Sequence, residues 1–194
     1  MRVIAGEFRG RNLLAPASEV TRPVTDRVKQ SVFDILSPYM DDAVVYDCFA
    51  GTGSMGLECL SRGAAHATFF EADRSAAERL RRNIGTLKVE GRSTVVATDL
   101  FKWFSTARKP GSRPAELIFL DPPYRFLNER PEELRKLAEA FAARHLSPTA
   151  LVIFRHDAKD ALELPALHVR DVREYGSMTV ELLGLPPNGD APPQ

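Results

Sequence analysis

Cysteine is scarce: Cys48 and Cys59 are the only two among 194 residues, and they form no C-x-x-C pair. In a reducing compartment both read as small buried hydrophobes. The four histidines, His66, His145, His156 and His168, stand apart without metal-ligand spacing, so no metal site is expected. No apolar run approaches membrane-spanning length, and the N-terminus lacks the apolar region and cleavage site of a signal peptide. The expected location is therefore the cytoplasm, with no membrane partner. Net charge is also missing, since 26 Lys and Arg balance 26 Asp and Glu, and so gives no argument for a nucleic-acid partner. There are no internal repeats. With 44% hydrophobic residues the chain is long enough for one substantial core and short for two, and a monomer is expected.

What is present concentrates in one stretch, VVYDCFAGTGSMG, from Val44 to Gly56. Val44, Val45 and Tyr46 make an apolar strand, and Ser54 to Arg62 carries Met55, Leu57, Cys59 and Leu60 without a breaker. The glycines between them lie in a strand-to-helix turn. Gly51, Gly53 and Gly56 satisfy G-x-G-x-x-G, which brings a ligand close to the free amides of a helix N-terminus. The same glycines equally serve a tight turn that only packs helix on sheet. Asp47 bears on that choice, because a carboxylate ending an apolar strand needs a cationic or hydrogen-bonding partner. A dinucleotide fingerprint runs from strand straight into its first glycine, and its pyrophosphate favours amides over an acid. An acid ahead of the glycines suits a ligand with an ammonium group and no phosphate, such as S-adenosylmethionine.

Residues 2–16, RVIAGEFRGRNLLAP, alternate loosely around a basic turn at Gly10 and predict a small hairpin outside the main sheet. Residues 1–30 hold Arg2, Arg9, Arg11, Arg22, Arg27 and Lys29 against Glu7, Glu19 and Asp26. This local positive excess makes the hairpin arginines the first choice for nucleic-acid contacts, although a solvated face accounts for the same charges. After a loop at 17–24, Thr25 or Asp26 caps a helix with Val28, Val32, Ile35 and Leu36 on its apolar face, ending near Pro38.

Gly63 stops the helix after the glycine turn, and Ala67 to Phe70 form a second strand ending at Glu71, 20 residues beyond Gly51. An acid there can accept both ribose hydroxyls of an adenosine, in NAD and S-adenosylmethionine alike. Asp73 caps a helix with Ala77, Leu80, Ile84 and Leu87 inward. Thr94 to Ala97 make a third strand, followed by Asp99 and Leu100 where an adenine edge would lie. Asp99 either accepts from the adenine amino group or caps the segment holding Trp103 and Phe104.

Beyond a polar loop at 105–114, the strand Leu117 to Leu120 runs into DPPYR, Asp121 to Arg125. Pro122 and Pro123 fix two torsions and remove two donors, leaving a rigid acceptor surface beside the flat face of Tyr124. A planar amino group is a poor nucleophile because its lone pair is delocalised. Asp121 and the Pro122 carbonyl can hold its hydrogens and favour pyramidalisation as a methyl group approaches, with Tyr124 stacked on the base. A double-proline strand terminator is the alternative for DPPY alone. Pro131 starts a helix with Leu134, Leu137, Ala138 and Phe141 inward, Ala150 to Phe154 give a fifth strand, and 167–175 with 178–185 form a hairpin around Gly176 and Ser177. The tail from 186 to 194 is expected to be disordered. Alternating strands and helices followed by a hairpin predict a three-layer α/β domain with its ligand at the carboxyl ends of the strands.

Taken together, RVIAGEFRGRNL, RPVTDRVKQSVFDIL, DCFAGTGSMGLECLSRGA, FFEADR and FLDPPY resemble the RsmD family of 16S ribosomal RNA guanine-N2 methyltransferases. The resemblance covers residues 2–124 and shows no departure at the catalytic positions, whereas DPPY by itself also occurs in methyltransferases acting on adenine, cytosine or glutamine. It implies a Rossmann-like class I fold: a seven-stranded, mostly parallel sheet in the order 3-2-1-4-5-7-6, helices on both faces and an N-terminal extension. By residue it implies that Asp47, Phe49, Gly51, Gly53 and Thr25 serve the cofactor S-adenosylmethionine, Glu71 its ribose, and Asp99 and Leu100 its adenine. Asp121, Pro122, Pro123 and Tyr124 would serve the target guanine, and Arg2, Arg9, Arg11, Arg22 and Arg125 the RNA. Residues 1–24 would be a basic RNA-contacting extension and 25–185 the methyltransferase domain. The partner would be 16S rRNA in an assembled or assembling small subunit. Adenine N6 is the alternative target. A nicotinamide oxidoreductase leaves Asp47 and DPPY unexplained, and a non-catalytic RNA-binding protein has no need of DPPY.

Overall fold

A computed structural model of the chain describes residues 1–15, 25–106 and 113–187. The loop expected at 17–24, with Arg22 and Pro23, falls outside the described residues, as do most of the polar loop at 105–114 and of the tail. Seven strands, β1 (Val44–Cys48), β2 (His66–Phe70), β3 (Ser93–Val96), β4 (Ala115–Leu120), β5 (Leu146–Asp157), β6 (His168–Tyr175) and β7 (Met178–Gly184), form one sheet in the order β3-β2-β1-β4-β5-β7-β6. This is the strand order of a class I methyltransferase. No helix among the described residues is long and apolar enough to cross a membrane.

In the amino-terminal unit, residues 1–100, β1 pairs parallel with β2 and β2 with β3. Parallel strands lie buried between layers, which is why β1 and β2 read as apolar runs. Helix α1 (Asp26–Leu36) is capped by Thr25, whose hydroxyl accepts from the Val28 amide at 3.3 Å. Its buried face is Lys29, Val32, Phe33 and Leu36, with Val28 and Ile35 only half-buried, so the helix is turned from the expected orientation. The reason is a buried acid on helix α2 (Ser54–Ser61). Glu58 accepts from Lys29 Nζ at 3.0 Å and from Arg62 Nε at 2.9 Å, so a lysine can point inward. Helix α3 (Arg74–Leu87) follows its expected pattern, with Asp73 accepting from the Ala76 amide at 2.7 Å and Ala77, Leu80, Ile84 and Leu87 buried. Burial pushes the thiols of Cys48 and Cys59 well above their ordinary pKa, with the Asp47 charge adding to it, consistent with inert packing.

The expected N-terminal hairpin is short: one antiparallel bridge, Arg2 to Asn12, flanked by the Val3 amide on the Arg11 carbonyl at 3.0 Å and the Leu13 amide on the Met1 carbonyl at 2.9 Å. Around its turn four amides bond to α2: Ile4 and Ala5 donate to Glu58 at 2.9 and 3.0 Å, Phe8 to Ser61 Oγ at 2.9 Å, and Glu7 to the Ser61 carbonyl at 2.7 Å. Gly6 makes this possible. It sits at φ 80°, and a Cβ there would lie 1.8 Å from the Ser61 carbonyl oxygen.

In the unit from Phe101 onward, β4 pairs parallel with β5, β5 pairs antiparallel with β7, and β7 with β6 through the expected turn at Gly176, which has φ 66°. Helix α4 (Leu100–Phe104) leads in from the other unit, and α5 (Arg125–Glu129) and α6 (Pro131–Ala140) follow β4. Phe104 anchors this core, meeting Phe141 edge-on at 4.9 Å and His145 at 4.8 Å. β5 is longer than the expected 150–154, extending from Leu146 to Asp157.

Candidate active site

β1 delivers Asp47 with only 3% exposure, and one of its oxygens accepts from the Gly56 amide in α2 at 2.8 Å. The backbone between them passes through the left-handed region at Phe49 (φ 61°), Gly51 (φ 55°) and Gly53 (φ 83°). For Phe49 this conformation is uncommon and must be held by its surroundings. The Ala50 amide bonds to the Phe70 carbonyl at 3.0 Å, which pulls the loop toward the end of β2.

The three glycines divide their work. A Cβ on Gly53 would lie 2.4 Å from Leu80 Cδ1, and one on Gly56 would lie 2.4 Å from Phe69 Cε1. Both therefore serve close packing. Gly51 is different, since no atom stands within 4 Å of where its Cβ would be. Its amide donates to Glu71 Oε2 at 2.7 Å, while Glu71 Oε1 takes the Asp73 amide at 2.7 Å. One carboxylate thus ties the glycine loop to the start of α3, and a ligand approaching Gly51 meets open backbone beside Glu71. Asp99, half-buried, immediately precedes α4, whose first residue Leu100 is 4% exposed.

At the end of β4, Asp121 is held by Arg155 of β5. Nε donates to Oδ1 at 2.7 Å and Nη2 donates to Oδ2. The Pro123 and Tyr124 carbonyls accept from the Phe126 and Leu127 amides at 2.8 and 3.2 Å, so DPPY passes directly into α5. Pro122 is buried, and Pro123 and Tyr124 are half-buried. Arg125 is exposed, 3.8 Å from Glu129 and 5.6 Å from the Phe126 ring. Arg130 lies over both Phe101 and Phe126, at 4.2 and 4.9 Å.

The N-terminal arginines are not equivalent. Arg2 pairs with Asp26 at 2.9 Å in an exposed contact of small energetic worth. Arg9 and Arg11 are exposed and have no side-chain partner among the described residues, while Arg22 lies outside them. Sequence reasoning missed Lys29, Glu58 and Arg155. The signal for Arg155 was the strand register: Leu120 pairs with Phe154, which makes Asp121 and Arg155 the next neighbours.

The family model described as "Conserved hypothetical protein 95" matches residues 1–184. The chain belongs to this family, the RsmD family. The RsmD-family chain is 44% identical over 125 residues to "Ribosomal RNA small subunit methyltransferase D" of Escherichia coli strain K12, a match covering 64% of this chain and 61% of that protein. It thus spans less than two thirds of that relative's length. The protein of the same name from Haemophilus influenzae is 37% identical over 166 residues, covering 85% of this chain and 83% of that one. Among solved structures, the Escherichia coli protein yhhF matches with a TM-score of 0.82 at 33% identity, over 95% of this chain and 97% of that one.

The geometry around Glu71 gives a direct expectation. Glu71→Ala should weaken S-adenosylhomocysteine binding about tenfold or more in calorimetry, because the carboxylate is lost from both the loop and the ligand. An unchanged dissociation constant in a folded variant would make Glu71 a loop brace only.

Proposed function

We propose that the chain transfers a methyl group from S-adenosylmethionine to the exocyclic N2 amine of one guanine in 16S rRNA, acting as a cytoplasmic monomer on an assembled or assembling small subunit. The observation that carries this reading is the glycine loop with Gly51 open and a carboxylate bonded at each end, Glu71 to the Gly51 amide and Asp47 to the Gly56 amide. These carboxylate acceptors fit an ammonium group and ribose hydroxyls, and do not fit a pyrophosphate. The RNA substrate rests on the family and on the names of the relatives. When bound, the cofactor would supply an electrophilic methyl group to the target amine, with S-adenosylhomocysteine and one proton as the other products.

The protein's own groups do the rest. Asp47, with Phe49 and the amides near Gly51 and Gly53, holds the methionine end. Glu71 takes the ribose hydroxyls, Asp99 and Leu100 the adenine, and Thr25 joins the cofactor set from the start of α1. Asp121 and the Pro122 carbonyl accept the hydrogens of the target amine, so its lone pair turns toward the methyl group. Pro123 stiffens that surface and Tyr124 stacks on the base. Arg9, Arg11, Arg22 and Arg125 are assigned to RNA phosphates, and Arg2 as well, at the expense of its pairing with Asp26. Residues 1–24 act as the RNA-contacting extension of a catalytic domain at 25–185.

The test is to incubate labelled S-adenosylmethionine with small subunits lacking the modification, and with naked 16S rRNA, and to map the label. One guanine carrying N2-methyl is the expected product; label on adenine N6, or none, refutes the assignment. Replacing Arg9 and Arg11 with Ala should weaken RNA binding and lower the slope of log K against log salt by about 1.5, since each phosphate contact releases counterions. Cofactor affinity should stay constant. An unchanged slope would mean that both arginines are only solvated.

A further inference from the structure

DPPY was legible as a motif, but the group that controls its carboxylate was not. β4 and β5 run parallel with Leu120 opposite Phe154, so the next residues, Asp121 and Arg155, stand side by side at the strand ends. Arg155 meets Asp121 as a two-toothed fork, Nε to Oδ1 at 2.7 Å and Nη2 to Oδ2. The pair is largely shielded, with side-chain exposures of 14% for Arg155 and 26% for Asp121. The guanidinium is also held from behind. Arg155 is paired with Val180 of β7, and its Nη1 lies 3.7 Å from Met178 Sδ on the same strand. The fork therefore stands on a paired strand and not on a loop.

A carboxylate joined to its backbone by two rotatable bonds is a poor positioning device unless something fixes both torsions. A planar guanidinium bonded to both oxygens does so, because turning the carboxylate breaks two charge-assisted hydrogen bonds together. It leaves the acceptor function in place, since each oxygen retains a second lone pair. Lysine, a point charge, would neutralise Asp121 without fixing its plane.

The geometry points to Arg155 as a positioning residue for methyl transfer: it sets the plane of the Asp121 carboxylate against the target amine. This rests on the reading of Asp121 as acceptor for that amine. Arg155 itself makes no contact with the amine; it acts through Asp121. It holds a residue whose misplacement by about 1 Å can cost on the order of 100-fold in rate.

The experiment is a double-mutant cycle under single-turnover conditions, with RNA and S-adenosylmethionine saturating, using Arg155→Ala, Arg155→Lys, Asp121→Asn and the Arg155→Ala/Asp121→Asn pair. Dissociation constants for S-adenosylhomocysteine and RNA, and melting temperatures, are measured on every variant. Arg155→Ala should slow transfer by about 100-fold with both dissociation constants within about threefold of the parent. Arg155→Lys should fall between the two. In the Asp121→Asn background, Arg155→Ala should add less than about threefold, because the group it acts through is already altered. A parental rate in Arg155→Lys together with Arg155→Ala overturns the proposal, as does a full further loss in the Asp121→Asn background, or a loss confined to RNA affinity. Should Arg155→Ala not fold, a parental rate in Arg155→Lys alone overturns it, since lysine lacks the fork. The underlying reading fails separately: Asp121→Ala transferring at the parental rate removes Asp121 from the chemistry whatever Arg155 does.

Discussion

Asp121→Ala is expected to reduce methyl transfer by about 1000-fold or more while S-adenosylhomocysteine affinity stays within a few-fold of the parent. The amine lone pair is delocalised into the base, and it becomes available only as the two hydrogens are drawn out of plane by acceptors. The Pro122 carbonyl alone cannot hold both. Removing the carboxylate therefore takes away an interaction that strengthens toward the transition state, and such losses appear in the chemical rate and not in cofactor binding. Arg155 is left without its partner, so a melting curve accompanies the rate. Asp121→Asn, which keeps one acceptor oxygen, should lose less. Equal losses in rate and in cofactor affinity for Asp121→Ala would remove Asp121 from the target amine and place it with the cofactor.

The second large effect concerns stability. Glu58 is fully buried and takes four donors: the Ile4 and Ala5 amides, Lys29 and Arg62. Lys29 is itself 3% exposed, and also donates to Ser54 Oγ at 3.1 Å. Glu58→Ala strands that cation and two amides, at a cost of about 3–5 kcal/mol in urea unfolding, a large share of a domain's stability. Replacing Lys29 with Met in the same chain should return part of the loss, because the stranded charge goes with it. A loss below about 1 kcal/mol for Glu58→Ala would mean that water reaches the site.

The same group sets a pH dependence. Burial alone would raise the Glu58 pKa, but the Lys29 charge, the Ile4 amide and the hydrogen bonds from Lys29 and Arg62 outweigh it and bring it below the ordinary 4.5. With the folded value depressed, the contribution is complete above the unfolded value and is lost as pH falls through the folded one. Stability should therefore drop on acidification below about pH 4.5, and Glu58→Gln should lack that segment of the curve.

What could be read from the residues was what local order determines. The strand, glycine turn and helix from Val44 to Ser61 declare themselves through an apolar run and three glycines, Asp73 marks its helix start, and Gly176 marks the last turn. Acid at the end of β1 and acid at the end of β2 were legible because both lie at fixed distances from Gly51. The pairings between distant residues were not. Lys29 looked like a surface cation because its partner is 29 residues away on α2, and Arg155 stands 34 residues from Asp121. The N-terminal alternation suggested a hairpin, and its arms do pair, but nothing in it announced that Gly6 would bring the backbone so close to Ser61 that Ile4, Ala5, Glu7 and Phe8 bond across to α2. α5 escaped notice because its five residues, between DPPY and Pro131, are too few to show a helical period.

The attachment of the first residues to α2 also constrains protein engineering. An arm grafted from a relative to change RNA preference would have to seat its amides on Glu58 and Ser61 and bring a glycine to position 6, or it would not dock. Its exposed side chains, Arg9 and Arg11 among them, are free to vary in such a graft. Its inner edge belongs to the recipient, and a chimera that exchanges residues 1–15 succeeds only when Lys29, Glu58 and Ser61 are matched to the incoming piece.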